Sequence, residues 1–480
     1  MAIVVTYRPQ ILSPTYNPVG ISCTSTNQTL DKYQMLFDLY SAGTTSRFHR
    51  EKAVVGPDGY CKSNLQSILK NYLSYDLSPT ATGVTFSTPS RFNFDLQIGE
   101  EYVVQWPFYD NYFGAGSYVG FTGTTAHPFS VGDRVFIAQT AGYAHQQYEG
   151  VHEVRSASTF SIIIDYTPFS ASPTNPGVIT FADSRVSKFT GITALSSITV
   201  NNAAFSHLDW INYNVNNYNL TAATSSFFTD SPQQFEQGDE SRSWINFYHS
   251  SGTTMKTLFV QTLDSGGNQI GVYALGLGGV GSLSENYYKV GVGPWNITNT
   301  AFIPSGSSTL PIMKSTVDVY KVWIDSNTES ERKEFKLDHR CSRFDSNISL
   351  CFLDRKGSFI SKEFQLGRTQ GDEIEKQEFK APIGEFNGST YSYNSYDRGR
   401  TIYNADVTTK YTAVSNWTTE EDSNYLRQLF SSPEVYWNNG GTFIPIIIKN
   451  NFYKIPNSRI DKIFNVTVEF ELAFRDPINV

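Results

Sequence analysis

Several groupings in this sequence have residue types that do chemistry elsewhere. Gly276-Leu-Gly-Gly-Val-Gly281 has the form G-x-G-x-x-G. A dinucleotide fold places that form between a strand and a helix, so that the helix N-terminus faces the pyrophosphate. A strand pattern precedes it here, but Ser282-Leu-Ser-Glu-Asn-Tyr-Tyr288 lacks helical periodicity and no βαβ alternation surrounds it, so it reads as a glycine loop. Asp264-Ser-Gly-Gly267 has the composition of the nucleophile loop of chymotrypsin-like proteases. That chemistry also needs a histidine base and a buried aspartate in reach. His207 and His249 lie upstream with nothing else to mark them, and Asp264 to Asn268 reads as the turn of a β-hairpin.

Metal chemistry finds no spacing to use. The 7 histidines are scattered, His145 and His152 form no HExxH-like pair, and no CxxC is present. Of the 4 cysteines, Cys341 and Cys351 have the spacing to meet across a hairpin, but free thiols in or near a core are the reading for all of them, Cys23 and Cys61 included. Paired carboxylates for glycoside hydrolysis are a spatial signature that sequence does not reveal. The abundant Tyr and Trp suit sugar-stacking surfaces, but they suit β cores and subunit contacts at least as well. The charged runs Glu329–Glu334 and Thr369–Phe379 read as solvated loops or strand starts. No catalytic, cofactor-binding or metal-ligating residue is assigned, and the expectation is a protein that is not an enzyme.

The elements that would carry such groups are strands. With 480 residues the chain is long enough for two to four domains. Aromatic residues reach 15%, with 29 Tyr and 34 Phe, while charged residues stop at 17%. Aromatic and β-branched side chains fit a pleated surface, and Asn, Gly and Ser fit turns. A formal net charge of -8 argues against wrapping nucleic acid, which calls for clustered Lys and Arg. The N-terminal Met1-Ala-Ile-Val-Val-Thr-Tyr-Arg8 lacks the pattern of a signal peptide, and the apolar run Phe443–Ile448 is far too short to span a membrane. Assembly in a cytoplasm is therefore expected, with Asn219, Asn416 and Asn465 unmodified despite their Asn-x-Ser/Thr triplets.

The fold class read from these patterns is mainly β: a multi-domain β-sandwich and β-barrel protein with a few short helices. Residues 1–126 give strands at Ile3–Tyr7, Gly20–Thr24 and Tyr33–Tyr40, and a helix at about Ser63–Leu73 from the spacing of Leu65, Ile68, Leu69, Tyr72 and Leu73. Residues 127–185 read as an inserted small barrel of four strands, Gly132–Ala138, Gly150–Val154, Phe160–Asp165 and Gly177–Phe181. Residues 186–310 form a central β domain with strands Ser243–Tyr248, Met255–Leu263 and Gln269–Leu275. Residues 311–480 form a C-terminal β-sandwich with one flanking helix. There Leu350–Ile360 reads as strand, turn, strand, and Thr401–Ala413 as another strand. The helix opens with a Thr418/Glu421 capping box, carries the stripe Tyr425, Leu426, Leu429 and Phe430, and ends before Pro433. In Phe464–Phe474 every even position is apolar and the odd ones are polar or small, the pattern of a strand in the middle of a sheet.

Three patches carry a resemblance: Leu350-Cys-Phe-Leu-Asp-Arg-Lys-Gly-Ser-Phe359, Tyr425-Leu-Arg-Gln-Leu-Phe-Ser-Ser-Pro-Glu-Val-Tyr-Trp437, and Ile444-Pro-Ile-Ile-Ile-Lys-Asn-Asn-Phe-Tyr453 with the Phe464–Phe474 strand. They resemble tail-associated proteins of tailed bacteriophages of Bacteroidota-like hosts. Asp58-Gly-Tyr60 leading into Ile68-Leu-Lys-Asn-Tyr72, and His127-Pro-Phe-Ser-Val-Gly-Asp133, fit the same group. The C-terminal order of strands, one helix and long amphipathic strands is similar to tail-tube and distal-tail folds. The resemblance implies a virion protein, a subunit of a hexameric ring in a tail or baseplate, bound to itself and to other virion proteins without a cofactor. It also implies an assembly surface at Tyr425, Leu429, Phe430, Tyr436 and Trp437, exposed in the lone protomer. A receptor- or carbohydrate-binding virion module recognising a host-surface glycan is the alternative, as is a head-to-tail connector or head decoration protein.

Overall fold

The computed structural model describes residues 3–30, 32–103, 106–109, 118–127, 129–139, 150–165, 176–181, 193–220, 225–249, 257–276, 287–325, 329–339, 347–450 and 463–474. It is mainly β, with multiple sheets and few short helices. The chain divides into two compact units, the first built from Met1–Ser13, Pro18–Ile68 and Asn93–Thr199, the second from Pro14–Asn17, Leu69–Phe92 and Val200–Val480.

The first unit holds a 3-stranded sheet of Val4–Tyr7, Gly20–Thr24 and Cys61–Asn64, and a 5-stranded sheet ordered Leu12–Pro14, Thr193–Asn201, Arg91–Glu101, Gln34–Ser41, Arg47–Ala53. The expected helix over Ser63–Leu73 is cut short. Ser63 pairs with Ile21 as strand, and helical turns cover only Gln66–Leu69 and Lys70–Tyr72. Asn64 marks the change: its Oδ1 accepts from Val19 N at 3.0 Å and from Gln66 N at 3.2 Å. Cys23 lies opposite Cys61 on neighbouring strands, both as buried free thiols. Cys341 lies outside the described residues.

The barrel is closed and has one more strand pair than the sequence reading gave it. Its order is Tyr118–Thr122, Ser161–Asp165, Gly150–Ser158, Arg134–Gln139, Pro176–Phe181, Trp106–Tyr109, with the last strand returning to the first. It therefore starts upstream of residue 127. Pro107 and Gly120 interrupt the alternation that would have shown these two strands in the sequence. Trp106, Val119, Phe121, Val135, Ile137, Val154, Ile162, Ile164 and Ile179 point inward and form the core. The module connects Arg91–Glu101 to Thr193–Asn201, which are neighbours in the 5-stranded sheet.

The second unit is a sandwich. Its 10-stranded sheet runs in the order Gly367–Lys380, Arg400–Val414, Thr467–Leu472, Thr442–Ile448, Val435–Asn439, Ile348–Leu353, Phe359–Phe364, Trp244–Tyr248, Tyr287–Gly291, Val84–Phe86. A 6-stranded sheet ordered Gln234–Gln237, Lys333–Leu337, Val319–Asp325, Thr257–Leu263, Gln269–Gly276, Ile303–Ser305 shares one hydrophobic core with it. No boundary falls at residue 310: Thr257–Leu263 pairs with Val319–Asp325, and Trp244 pairs with Phe359, so the expected central and C-terminal domains are one body. Strand pairing over long sequence separations merges what local composition divides.

The C-terminal helix runs Glu420–Ser431. Its cap is Thr419, one residue later than expected, with Oγ1 accepting from Asp422 N at 3.1 Å. Thr418 is occupied elsewhere, donating to Phe464 O at 3.0 Å. The expected last strand breaks into Ile463–Phe464 and Thr467–Leu472, because Val466 N turns to Ser415 Oγ at 2.8 Å. Its alternation holds: Phe464, Val466, Val468 and Phe470 are buried, and the strand lies inside the sheet.

Gly367–Lys380 and Arg400–Val414 form a long antiparallel ribbon. At ~3.3 Å per residue it extends ~45 Å. Thr467–Leu472 supports it only along Lys410–Val414. Beyond that point the ribbon has two strands among the described residues, and every residue from Thr369 to Lys380 is exposed. A smaller hairpin, Glu385–Asn387 with Thr390–Ser392, forms its tip.

Candidate functional site

The five residues expected at an assembly surface are placed by the protomer itself. Tyr425 and Leu429 are buried in the sandwich core, with the Tyr425 ring 5.4 Å from Phe235 and 5.6 Å from Phe352. Trp437 is buried between Tyr411 and Phe470, ring centroids 5.3 and 6.3 Å away. Phe430 is partly buried against the same cluster. Tyr436 lies on the opposite face of its strand, half-buried against Phe359 and Phe443. The expected exposed patch is therefore not present at these positions. A helical stripe reports that a face is covered, and here the same chain covers it.

The other sequence candidates fall into place as structure. Asp264–Asn268 is a hairpin turn in which Asp264 Oδ1 accepts from Gly266 N at 2.9 Å and Asn268 N at 2.8 Å. Those hydrogen bonds, with the Asn268 side-chain amide first, hold the Asp264 carboxyl below its usual range. Gly276 ends a strand, while Leu277–Gly281 and the following Ser282–Asn286 lie outside the described residues, as do His145 and Asn451–Tyr453. His152 stands on a barrel strand opposite Val135, and His249 is buried. Among the described residues, no group of three or more His, Cys, Asp or Glu side chains could hold a metal ion.

A different site emerges from the register of three strands. Ser349 lies opposite Glu363 on one side and Asn438 on the other, so one row of polar side chains crosses three adjacent strands on one face. The opposite face carries Ile348, Leu350, Phe352, Ile360 and Phe364 into the core. Further along the polar face the row gives way to Cys351, Leu353, Phe359 and Trp244, a separate apolar cluster. The polar end opens into a cavity of about 560 Å³, lined by Asp239, Glu240, Arg242, Trp295, Asp338, His339, Asn347, Ser349, Glu363, Gln365 and Asn438 to Gly441.

The floor is a network of neutral donors around a buried carboxylate. Glu363 accepts from Asn347 Nδ2 and Gln365 Nε2, each at 3.0 Å, and from Ser241 Oγ at 3.4 Å. Burial raises its pKa against those three hydrogen bonds, and the charge of Asp338 adds to the rise. Asn416 Nδ2 bridges the network, donating to Asp338 Oδ2 at 2.9 Å and Gln365 Oε1 at 2.7 Å. The wall is Arg242, whose Cζ lies 3.6 Å from the Trp295 ring centroid and whose Nη1 donates to Pro79 O at 2.8 Å. Gly441 forms the rim with φ +94, and a Cβ there would come within 2.4 Å of Arg242 Nη2. Both the conformation and the close approach call for glycine.

Three buried polar atoms around this cavity have no hydrogen-bond partner: Ser349 Oγ, Asn347 Oδ1 and Arg242 Nε. Sequence alone shows no sign of the site, because its residues come from separate segments and each is an ordinary polar residue within a strand or turn. The one visible trace is polar Ser349 within the otherwise apolar Ile348–Leu353.

No family model matches the chain, and no curated protein is similar to it. Among solved structures it is similar to the crystal structure of dimeric latent PorU from Porphyromonas gingivalis, at 7% sequence identity and a TM-score of 0.14, over 71% of this chain and 34% of that one. The match thus spans about a third of that protein, and a TM-score so low carries no argument about fold or function.

Proposed function

We propose that the chain is a virion structural protein, a ring-forming subunit of a bacteriophage tail or baseplate that binds copies of itself and other virion proteins. The observation that supports this reading is the ribbon of Gly367–Lys380 and Arg400–Val414. Its pairing puts Ile374 beside Val407, Lys376 beside Ala405 and Glu378 beside Ile402 on one face, while Glu373, Glu375, Gln377 and Phe379 of the first strand, with Asp406 and Asn404, occupy the other. Both faces mix charged and apolar side chains, and the ribbon leaves apolar residues to solvent, Ile374 54% and Phe379 47% exposed. The tip adds Phe386 at 72% and Tyr396 at 78% exposure, with Tyr391 and Tyr393 close by.

A two-stranded ribbon is marginally stable in water, and bare aromatic surface favours association. A second copy is the occupant that suits a repeating ring. The outer edge of Arg400–Thr409 has no strand beside it among the described residues, and an added strand there would pack beside Ile402 and Val407. A contact of that kind repeated head to tail closes a ring when the rotation closes. Each stable contact is expected to bury more than ~1,000 Å². Assembly through the ribbon also leaves the buried Tyr425, Leu429 and Trp437 in their structural role.

Native mass spectrometry and negative-stain imaging of the full chain test the reading. Rings are expected for the unaltered protein. The triple substitution Phe386→Ser, Tyr391→Ser, Tyr396→Ser is expected to leave folded protomers that no longer assemble. A protein that stays monomeric at high concentration, with no association with virions, overturns it.

A further inference from the structure

Cys23 and Cys61 meet in the 3-stranded sheet of the first unit, a relation independent of the ribbon and of the assembly reading. They lie directly opposite each other on the antiparallel strands Gly20–Thr24 and Cys61–Asn64, so their side chains leave the same face of the sheet. Both are fully buried, and both are free thiols. Opposed residues of antiparallel strands hold their Cα atoms ~4.5–5.5 Å apart, inside the ~4.4–6.8 Å that a disulfide spans. The backbone already stands where a disulfide needs it.

The chain between the two cysteines holds Gln34–Ser41 and Arg47–Ala53, paired strands of the 5-stranded sheet. A bond from Cys23 to Cys61 would close a loop around that hairpin. It would tie the two sheets of the unit where the chain leaves one and returns to it. Closing a long loop restricts the unfolded chain, and the gain in stability grows with loop length.

Access sets the speed of such a bond. Burial pushes the Cys23 thiol up to about 12 and the Cys61 thiol up to about 11. Thiolate is scarce while the sheet is closed, so reaction follows local opening. The cover over Cys23 on its other side is slight: Val5 of the 4-residue strand Val4–Tyr7, in which Val4 is 51% and Tyr7 54% exposed. Cys61 lies on the opposite outer strand of the same sheet. These features suit a slow latch and not a rapid sensor.

We propose that Cys23 and Cys61 form a redox latch, two thiols under reducing conditions and a disulfide after oxidation by a peroxide. One sulfur attacks hydrogen peroxide; the O–O bond breaks, a sulfenic acid forms and water leaves. The second sulfur then attacks the first; the S–S bond forms, the S–O bond breaks, and the hydroxide leaves as water with the second thiol's proton. Two thiols thus give two electrons to one hydrogen peroxide, which becomes two waters. A dithiol reductant reverses the bond by exchange.

The reduced full-length protein is treated with hydrogen peroxide under native conditions, and its thiols are then blocked before digestion and peptide mass mapping. A peptide linking Cys23 to Cys61, lighter by two hydrogens, is expected. The melting transition of the first unit should rise by about 10 °C. Hydrogen exchange across Gly20–Thr24 and Cys61–Asn64 should slow, and dithiothreitol should reverse both effects. Cys23→Ala is expected to abolish the link and the rise together. Mapping of the unaltered protein needs no variant, so it decides the matter even if Cys23→Ala fails to fold. The proposal is overturned if the two cysteines stay unlinked, if they link only after denaturation in urea, if they oxidise further without joining, or if they join and neither melting nor exchange changes.

Discussion

Lys289 Nζ lies 3.0 Å from Asp76 Oδ2, with the two side chains only 3% and 13% exposed. The same ammonium donates to the Asp76 backbone carbonyl at 3.0 Å. This pair fastens the segment around Asp76 to the strand Tyr287–Gly291 within the sandwich unit. Burial pushes the Lys289 pKa down, and Asp76 opposes that push.

Removing one member should therefore cost more than the pair is worth. Asp76→Asn leaves the ammonium buried without its counter-charge and is expected to destabilise the protein by ~3–5 kcal/mol. Adding Lys289→Met to it should recover a large part of the loss. Thermal melts of the single and double variants check this; equal melting temperatures for Asp76→Asn and the unaltered protein would refute it.

The helix stripe offers a second test. Leu429 is fully buried in the sandwich core. Leu429→Ala is expected to lose ~2–5 kcal/mol of stability through transfer and cavity terms. Its effect should appear in urea denaturation, while the folded fraction assembles as the unaltered protein does. An unchanged denaturation midpoint together with lost assembly would return Leu429 to a surface role.

In the barrel, Gly123 is fixed by Trp106. A Cβ at residue 123 would lie 2.4 Å from the indole ring, whose Nε1 donates to Thr125 O at 2.8 Å. Gly123→Ala should displace the ring and destabilise the barrel by ~1–3 kcal/mol. Trp106 fluorescence and hydrogen exchange on the barrel strands would register the change, and normal exchange protection would count against it.

Asp422 gives the pH dependence a sign. Burial raises its carboxyl from 3.8 to about 6, with Lys362 pulling it down and Glu236 and Glu421 pushing it up. The folded protein thus holds this proton more tightly than the unfolded chain. The contribution to stability is complete below about pH 4 and is lost as pH rises through about 6. Asp422→Asn, which keeps a neutral side chain throughout, should match the unaltered protein near pH 4 and exceed it at pH 7. Melting curves across that range decide; a variant less stable at pH 7 than at pH 4, by as much as the unaltered protein, would exclude Asp422 as the cause.

The sequence by itself determined the strand character of the chain, several hairpins and the buried faces. Alternation marked Phe464–Phe470, Asp264–Asn268 declared its turn, and the spacing of Tyr425, Leu426 and Leu429 marked a covered helix face. These are local signals, carried by residues a few positions apart. Only the tertiary structure decided what covers each face and which strands lie side by side. The Trp437 and Leu429 surfaces met the same chain, Trp106–Tyr109 closed the barrel, and pairing across residue 310 joined two expected domains into one sandwich. The cavity depended wholly on that step: Ser349, Glu363 and Asn438 share one face because the backbone hydrogen bonds of three strands set their register, and no local pattern encodes a register between distant segments.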